Sequence, residues 1–284
     1  MFTYIDQFLA DPKAMLIFFL LAFPGRILAL SMHEFAHAWM ANRCGDPTVK
    51  YLGRLTLNPI KHLDPIGTVM MLVLGFGWAK AVPVNPRNYR NLRRDDLLVS
   101  IAGVTTNFIM FLLGYIVLAA FIIIALKQLP SGGWMFTSAD SFVTTYQGAR
   151  ALVYDGAQYY IPLENLFQFA AYGETITEIL IQPVFGRMVG YIYQMIGYFV
   201  QVNLCLAIFN LLPVPPLDGY HVLNDLLLKR SLFASPKVAR TAYGVLMLLM
   251  FTGVLGDGLS YVINFVFNSI GSGMNALVGL AGLF

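Results

Sequence analysis

Charge is what this sequence has least of. Only 12% of its 284 residues are Asp, Glu, Lys or Arg, while 58% are hydrophobic and the mean hydropathy is +0.67. Soluble domains carry about 25% charged residues. A water-soluble domain is therefore excluded, and an integral membrane protein is indicated. The net charge of +3 is small, and no basic cluster is interleaved with aromatics, so nothing points to nucleic acid. Cysteine is nearly absent: Cys44 and Cys205 stand alone, without C-x-x-C spacing, and no structural disulfide is expected. Internal repeats and low-complexity tracts are missing. The N-terminus lacks the marks of a cleaved signal peptide, because Asp6 and Asp11 precede the apolar run and no basic n-region or A-x-A-like site accompanies it.

What is present is a series of apolar segments. Residues 1–14 are polar enough for a membrane surface. Residues 15–126 read as a membrane core. Its first helix runs from Met15 to about Ala41, with Pro24-Gly25 as a kink or break. A loop with Arg43, Lys50, Arg54 and Lys61 follows, then an apolar run over 66–78 that is short for a crossing. Its flanks, ending in Arg87, Arg90, Arg93 and Arg94, are basic on both sides. By the positive-inside rule both flanks are cytoplasmic. The run is then a re-entrant or half-buried excursion, and Val82-Pro83-Val84 after it reads either as an exposed edge strand able to pair with an extended peptide or as an ordinary surface loop. An apolar helix over 97–126 carries Gly103 and Asn107, which share one face at a spacing that suits close helix packing.

Residues 127–175 are the least oily, rich in aromatics and acidic, and read as an extracytoplasmic cap. Residues 176–232 return through the membrane and end in a proline-rich turn and a short amphipathic helix over 221–232 with Lys229 and Arg230. Residues 233–284 add one or two hydrophobic segments. The fold class expected is an all-α polytopic membrane protein of about five to six transmembrane helices, with a re-entrant, β-like loop beside the active site.

The chemistry centres on His33-Glu34-Phe35-Ala36-His37, an H-E-x-x-H pattern inside an apolar helix. Residues four apart share a helix face, so both imidazoles can meet one metal ion, with Glu34 beside them to take a proton from water. An ionisable cluster in a membrane segment is a functional site by default. Hydrolytic zinc takes three protein ligands. Candidates for the third are Asp218, His62, His221 and Asp64. Asp218 is favoured because Pro213, Pro215 and Pro216 hold it at a rigid corner. Counted by helix rise, His37 lies ~9 Å and His33 ~15 Å from Arg43 at the inner boundary, and Asn107 lies ~20 Å from Arg94. These stretches reach a similar depth.

With the downstream Asn210-x-x-Pro213-x-Pro215-x-Leu217-Asp218-Gly219, the chain resembles the site-2 protease family of intramembrane zinc metalloproteases over roughly residues 15–230. The resemblance implies one Zn²⁺ per chain held by His33, His37 and Asp218, with Glu34 as the general base. It implies that Asn107 and Asn210 line the site, to orient the substrate backbone or to help stabilise the oxyanion. Val82 and Val84 are the candidate edge for an unwound substrate. The implied partners are a transmembrane protein substrate and the lipid bilayer, with the active site facing the cytoplasmic side of a prokaryotic-type cell membrane. Two features depart from many relatives: Gly103 is followed by Val104 instead of Pro, and no PDZ or CBS domain is recognisable. The prenyl-protein proteases share only the first motif and use Glu as third ligand. A metal transporter or an inactive scaffold built on the same His and Asp residues are the readings from other classes.

Overall fold

A computed structural model describes residues 9–74, 77–128, 142–146, 149–154, 159–162, 167, 176–228 and 235–280. Among them three helices are long and apolar enough to cross a membrane: α1 (Pro12–Cys44), α3 (Leu92–Gln128) and α4 (Arg187–Asn210). The short helix α2 (Pro65–Leu74) lies between the first two. After α4 come α5 (Asp218–Leu223), α6 (Pro236–Thr252) and α7 (Val254–Leu280). The last two meet at Gly253 in a bend of 75°, and together they count as a fourth apolar segment. Three short antiparallel strands, Phe142–Tyr146, Ala149–Tyr154 and Tyr159–Pro162, pair in sequence order within the segment read as a cap. Apart from the end of α3 and Phe167, the rest of that segment, including Trp134 and Phe136, lies outside the described residues, as does the Lys229-Arg230 end of the expected amphipathic helix.

The chain forms two compact units. One combines the residues up to Met110 with Val202–Tyr261, and the other combines Phe111–Gln201 with Val262–Phe284. In the second, Tyr115 donates to Phe167 O at 2.6 Å, and Phe167 N donates to Asn275 Oδ1 at 3.3 Å. Phe111 and Phe267 stack edge to face around them. This unit carries none of the candidate site residues.

The first unit holds the site, and local sequence explains its frame. Asp11 caps α1 by accepting from Ala14 N, and Pro12 occupies the first turn, where no amide partner is needed. Pro24 is accommodated within one continuous helix, so the expected break is absent. Gly45 ends α1 at φ +109°, where a side chain would be strained. Helix α3 starts with a reciprocal cap: Arg94 N donates to Asn91 Oδ1 while Asn91 N donates to Asp95 Oδ2. Asp64 caps α2 through Gly67 N. The excursion around α2 leaves and returns at one place, because Leu63 bridges Ala79 and Lys80 N donates to His62 O at 2.8 Å.

From there residues 81–85 run extended, over a cluster of Ala38, Ala41, Cys44, Val49, Val82, Tyr89 and Val99. The far end of this stretch is tied down by Asp46, which is wholly buried just after α1. Its Oδ1 accepts from Thr48 N at 3.1 Å, Thr48 Oγ1 at 2.5 Å and Asn88 Nδ2 at 2.8 Å, and its Oδ2 accepts from Asn85 N at 2.7 Å. Burial pushes this carboxyl up, but the bonds from Thr48, Asn85 and Asn88 outweigh it and hold it below the usual carboxylate range. Asp46→Ala takes the acceptor away from several part-buried donors and is expected to cost about 1–3 kcal/mol. A folded pKa below the unfolded one gives stability that is complete above the unfolded value of about 3.9 and is lost as pH falls further. Thermal unfolding in detergent from pH 7 to 3 checks this. The gap between wild type and Asp46→Ala should stay flat to about pH 4 and close below it.

Candidate metal centre

Helix α1 places His33 and His37 one above the other on its inner face. The rings meet edge to face, with centroids 4.6 Å apart and Nε2 atoms 3.0 Å apart. His33 and Glu34 are both buried. Asp218 reaches them from the other end of the chain. Helix α4 stops at Asn210, and Pro213, Pro215 and Pro216 prevent its resumption. The chain folds back tightly: a Cβ on Gly219 would collide with Leu211 O, so only glycine permits the reversal that delivers Asp218. Asp218 Oδ2 then lies 3.3 Å from His33 Nε2 and 3.4 Å from His37 Nε2.

Helix α3 supplies the floor. A Cβ at Gly103 would stand 2.5 Å from His37 Nε2 and 2.6 Å from His33 Cε1, so a bare backbone is what lets both rings lie on this helix. One turn earlier, Val99 O is 2.8 Å from His37 Nδ1. A carbonyl only accepts, so Nδ1 carries the proton. In the neutral ring the lone pair of Nε2 then points at His33 and Asp218. One turn beyond Gly103, Asn107 is completely buried, and neither atom of its amide has a partner among the described residues.

The ligand atoms of His33, His37 and Asp218 all lie within 4.8 Å of one another. Asp218 Oδ2 is buried and accepts no well-formed hydrogen bond despite two nearby nitrogens. A lone pair on His37, a second imidazole nitrogen and an unsatisfied carboxylate oxygen, aimed at one point, are a donor set that fits a zinc ion. A backbone carbonyl behind one imidazole is the usual orienting partner of a metal-binding histidine.

Glu34 is set apart from this triad. Its Oε2 accepts from Val82 N at 2.8 Å, in a buried contact. Val82 therefore differs from the free edge expected of it. Its N–H is committed to Glu34, its side chain is in the cluster, no ladder forms over 81–85, and Val84 is half-buried against the same cluster. Apolar side chains with a cluster beneath them turn inward, which the alternation alone left open. Asn210 ends α4 with its Nδ2 donating to Leu206 O at 3.0 Å. The other candidate third ligands are engaged elsewhere: His62 with Thr56 O at 2.7 Å, Asp64 with Gly67 N at 2.8 Å, and His221 with Asp96 at 2.9 Å.

Comparison with known proteins agrees with this arrangement. The model of peptidase family M50 matches residues 19–253, which include both histidines, Glu34 and Asp218. The chain belongs to peptidase family M50. The resemblance to site-2 proteases is thereby borne out, and the M50 assignment together with the apolar helices makes this an integral membrane protein. Among curated relatives, the protein named "Putative zinc metalloprotease YwhC" of Bacillus subtilis is 32% identical over 259 residues, 91% of this chain and 90% of its own. The Rip2 proteins of Mycolicibacterium smegmatis and Mycobacterium tuberculosis, which carry the same description, are 33% and 35% identical over 100 and 109 residues. Those matches cover 34% and 36% of this chain and 38% and 41% of theirs. No solved structure matches the chain significantly.

Three parts of this M50 site escaped the sequence. The Val99 carbonyl carries no residue signature. Val82 is singled out by its alternation, but its bond to Glu34 spans 48 positions. Asp46 looks like an ordinary loop residue until Asn85 and Asn88 are beside it.

Proposed function

We propose that this M50 peptidase is a zinc metalloprotease that hydrolyses peptide bonds of transmembrane helices near the cytoplasmic side of the membrane, in regulated intramembrane proteolysis. The observation that carries the reading is the convergence of buried His33 with half-buried His37 and Asp218, next to the buried Glu34. These three residues hold the zinc ion. The chemistry the ion supplies is Lewis acidity, which brings the pKa of water towards ~7 and polarises the scissile carbonyl.

The chain's own groups do the rest. Glu34 takes the proton of the attacking water and returns it to the departing amine. Asn107, whose buried amide has no partner among the described residues, orients the substrate backbone or donates to the developing oxyanion, and Asn210 lines the site with it. A helical substrate hides its carbonyls in its own hydrogen bonds, so it unwinds before cleavage, and small or helix-breaking residues in the target help. The backbone around Val84 receives the unwound stretch. In this reading α2 is re-entrant, and α6 and α7 complete the five to six membrane segments. Arg43, Lys50, Lys61 and Arg87, all exposed, lie on the cytoplasmic side.

The test uses purified protein in liposomes with a model transmembrane peptide. Wild type is expected to hold about one zinc per chain and to cleave. Asp218→Ala removes one of three ligands, so zinc affinity should fall by more than about 100-fold and cleavage should disappear. Undiminished zinc in Asp218→Ala would give the third position to another residue.

A further inference from the structure

Among the described residues Arg54 is a buried cation with no acidic partner. It is 7% exposed, no carboxylate among the described residues pairs with it, and its Nε is buried without a hydrogen bond. Such a charge is costly to keep unless its remaining donors are well used. One of its amino groups is used on the backbone: Nη2 donates to Lys80 O at 2.5 Å and, in a longer contact, to Ala81 O at 3.4 Å.

The second of these carbonyls belongs to the peptide unit whose other end is Val82 N–H. That N–H is the donor to Glu34. One planar, trans peptide unit thus has a guanidinium on its oxygen and a carboxylate on its hydrogen. The short bond on Lys80 O is the strong, charge-assisted one, and the longer contact on Ala81 O comes from the same nitrogen, so the guanidinium holds the backbone that presents Val82 N–H from its carbonyl side. The register is also fixed. Residue 83 is proline, which has no N–H, so a slip that brought Pro83 to Glu34 would leave its carboxylate without a donor. Lys80 N on His62 O holds the near end of the stretch, and Asn85 N on Asp46 holds the far end. Neither tie bears on the Ala81–Val82 peptide itself.

We infer that Arg54 is a positioning residue for Glu34, setting the carboxylate's place and orientation through the Ala81–Val82 peptide. The inference rests on the reading of Glu34 as the general base. Arg54 touches neither substrate nor metal ligands, so its loss should alter turnover more than binding.

The experiment compares full-length wild type, Arg54→Gln, Arg54→Lys and Glu34→Gln in liposomes. It reads zinc content, kcat and KM on a model transmembrane peptide, and deuterium uptake over residues 79–85. In Arg54→Gln, kcat should fall by about 10- to 100-fold, as for a displaced catalytic group, with KM within about twofold. Its zinc should stay at the wild-type level, and exchange at the Val82 amide should quicken. In Arg54→Lys the charge is kept, but the ammonium has a shorter reach and lacks the planar guanidinium whose Nη2 meets both carbonyls, so kcat and exchange should fall between the two. Wild-type kcat and exchange in Arg54→Lys would overturn the inference, and this holds even if Arg54→Gln fails to fold. Loss of zinc in step with loss of kcat across both Arg54 variants would also overturn it, by assigning Arg54 to the fold alone. Retained turnover in Glu34→Gln would instead overturn the reading of Glu34, and the exchange data at Val82 would still say whether Arg54 governs the segment.

Discussion

Glu34→Gln should stop cleavage while leaving the metal in place. The amide is the same size as the carboxylate, and its oxygen can still accept from Val82 N–H, so the 2.8 Å tie and the surrounding cluster persist. What is lost is the ability to take a proton. Removing a general base typically costs 10²- to 10⁴-fold, and about 10³-fold in kcat is expected here. Zinc content should match wild type, because His33, His37 and Asp218 are untouched. The outcome separates the classes raised by the sequence. A transporter has no use for a base, and its metal flux would survive the substitution. Turnover within tenfold of wild type would remove Glu34 from the mechanism.

Gly103→Ala should be nearly as severe, by an opposite route. Alanine is about 1 kcal/mol better than glycine inside a helix, so α3 itself gains. The new methyl, however, would lie 2.5 Å from the Nε2 of His37 and 2.6 Å from the Cε1 of His33. His37 cannot swing away without giving up its bond to Val99 O. The expected result is a protein with undiminished helix content, a zinc affinity lower by about 10- to 100-fold and cleavage reduced to match. Gly114 is the control. It also lies on α3, where an added Cβ would stand 2.6 Å from Val200 Cγ2, far from any ligand in sequence. Gly114→Ala should cost stability through overpacking and leave zinc affinity alone. Equal zinc affinity in Gly103→Ala and wild type would contradict the packing of the imidazoles on α3.

Much of this centre was legible because helices make distance predictable. His33 and His37 needed only the rise and twist of α1, and Asp218 only the arrest imposed by three prolines. The three long spans were readable for the same reason, since twenty-odd apolar residues have few other uses. Their ends were less readable. Arg93 and Arg94 look like loop, yet the Asn91 and Asp95 cap draws them into α3. The alternating Val82 and Val84 read as an edge strand, yet residues 81–85 form no ladder. The sequence could not tell which way they face, because that depends on Val49, Tyr89 and Val99 arriving beneath them. Gly103 and Asn107 read as ordinary helix packing. The partner across from Gly103 is a pair of imidazoles, which no spacing rule announces. Arg54 was counted among loop cations. Its burial follows from the closure of Leu63 on Ala79, a contact that bridges a whole apolar excursion.

The three proposed ligands are spread very unevenly along the polypeptide. Two come early, on α1, and Asp218 follows about 180 residues later. A ribosome making this chain exposes the imidazole pair long before the carboxylate exists, and a two-ligand site holds zinc weakly. On the proposed ligand set the metal loads only after Asp218 is made: a nascent or truncated chain ending before the proline turn would have no complete cage. Zinc seated there would join α1 to the start of α5. Its binding free energy is drawn from their association, and a chelator acts on this membrane protein as a denaturant of that junction.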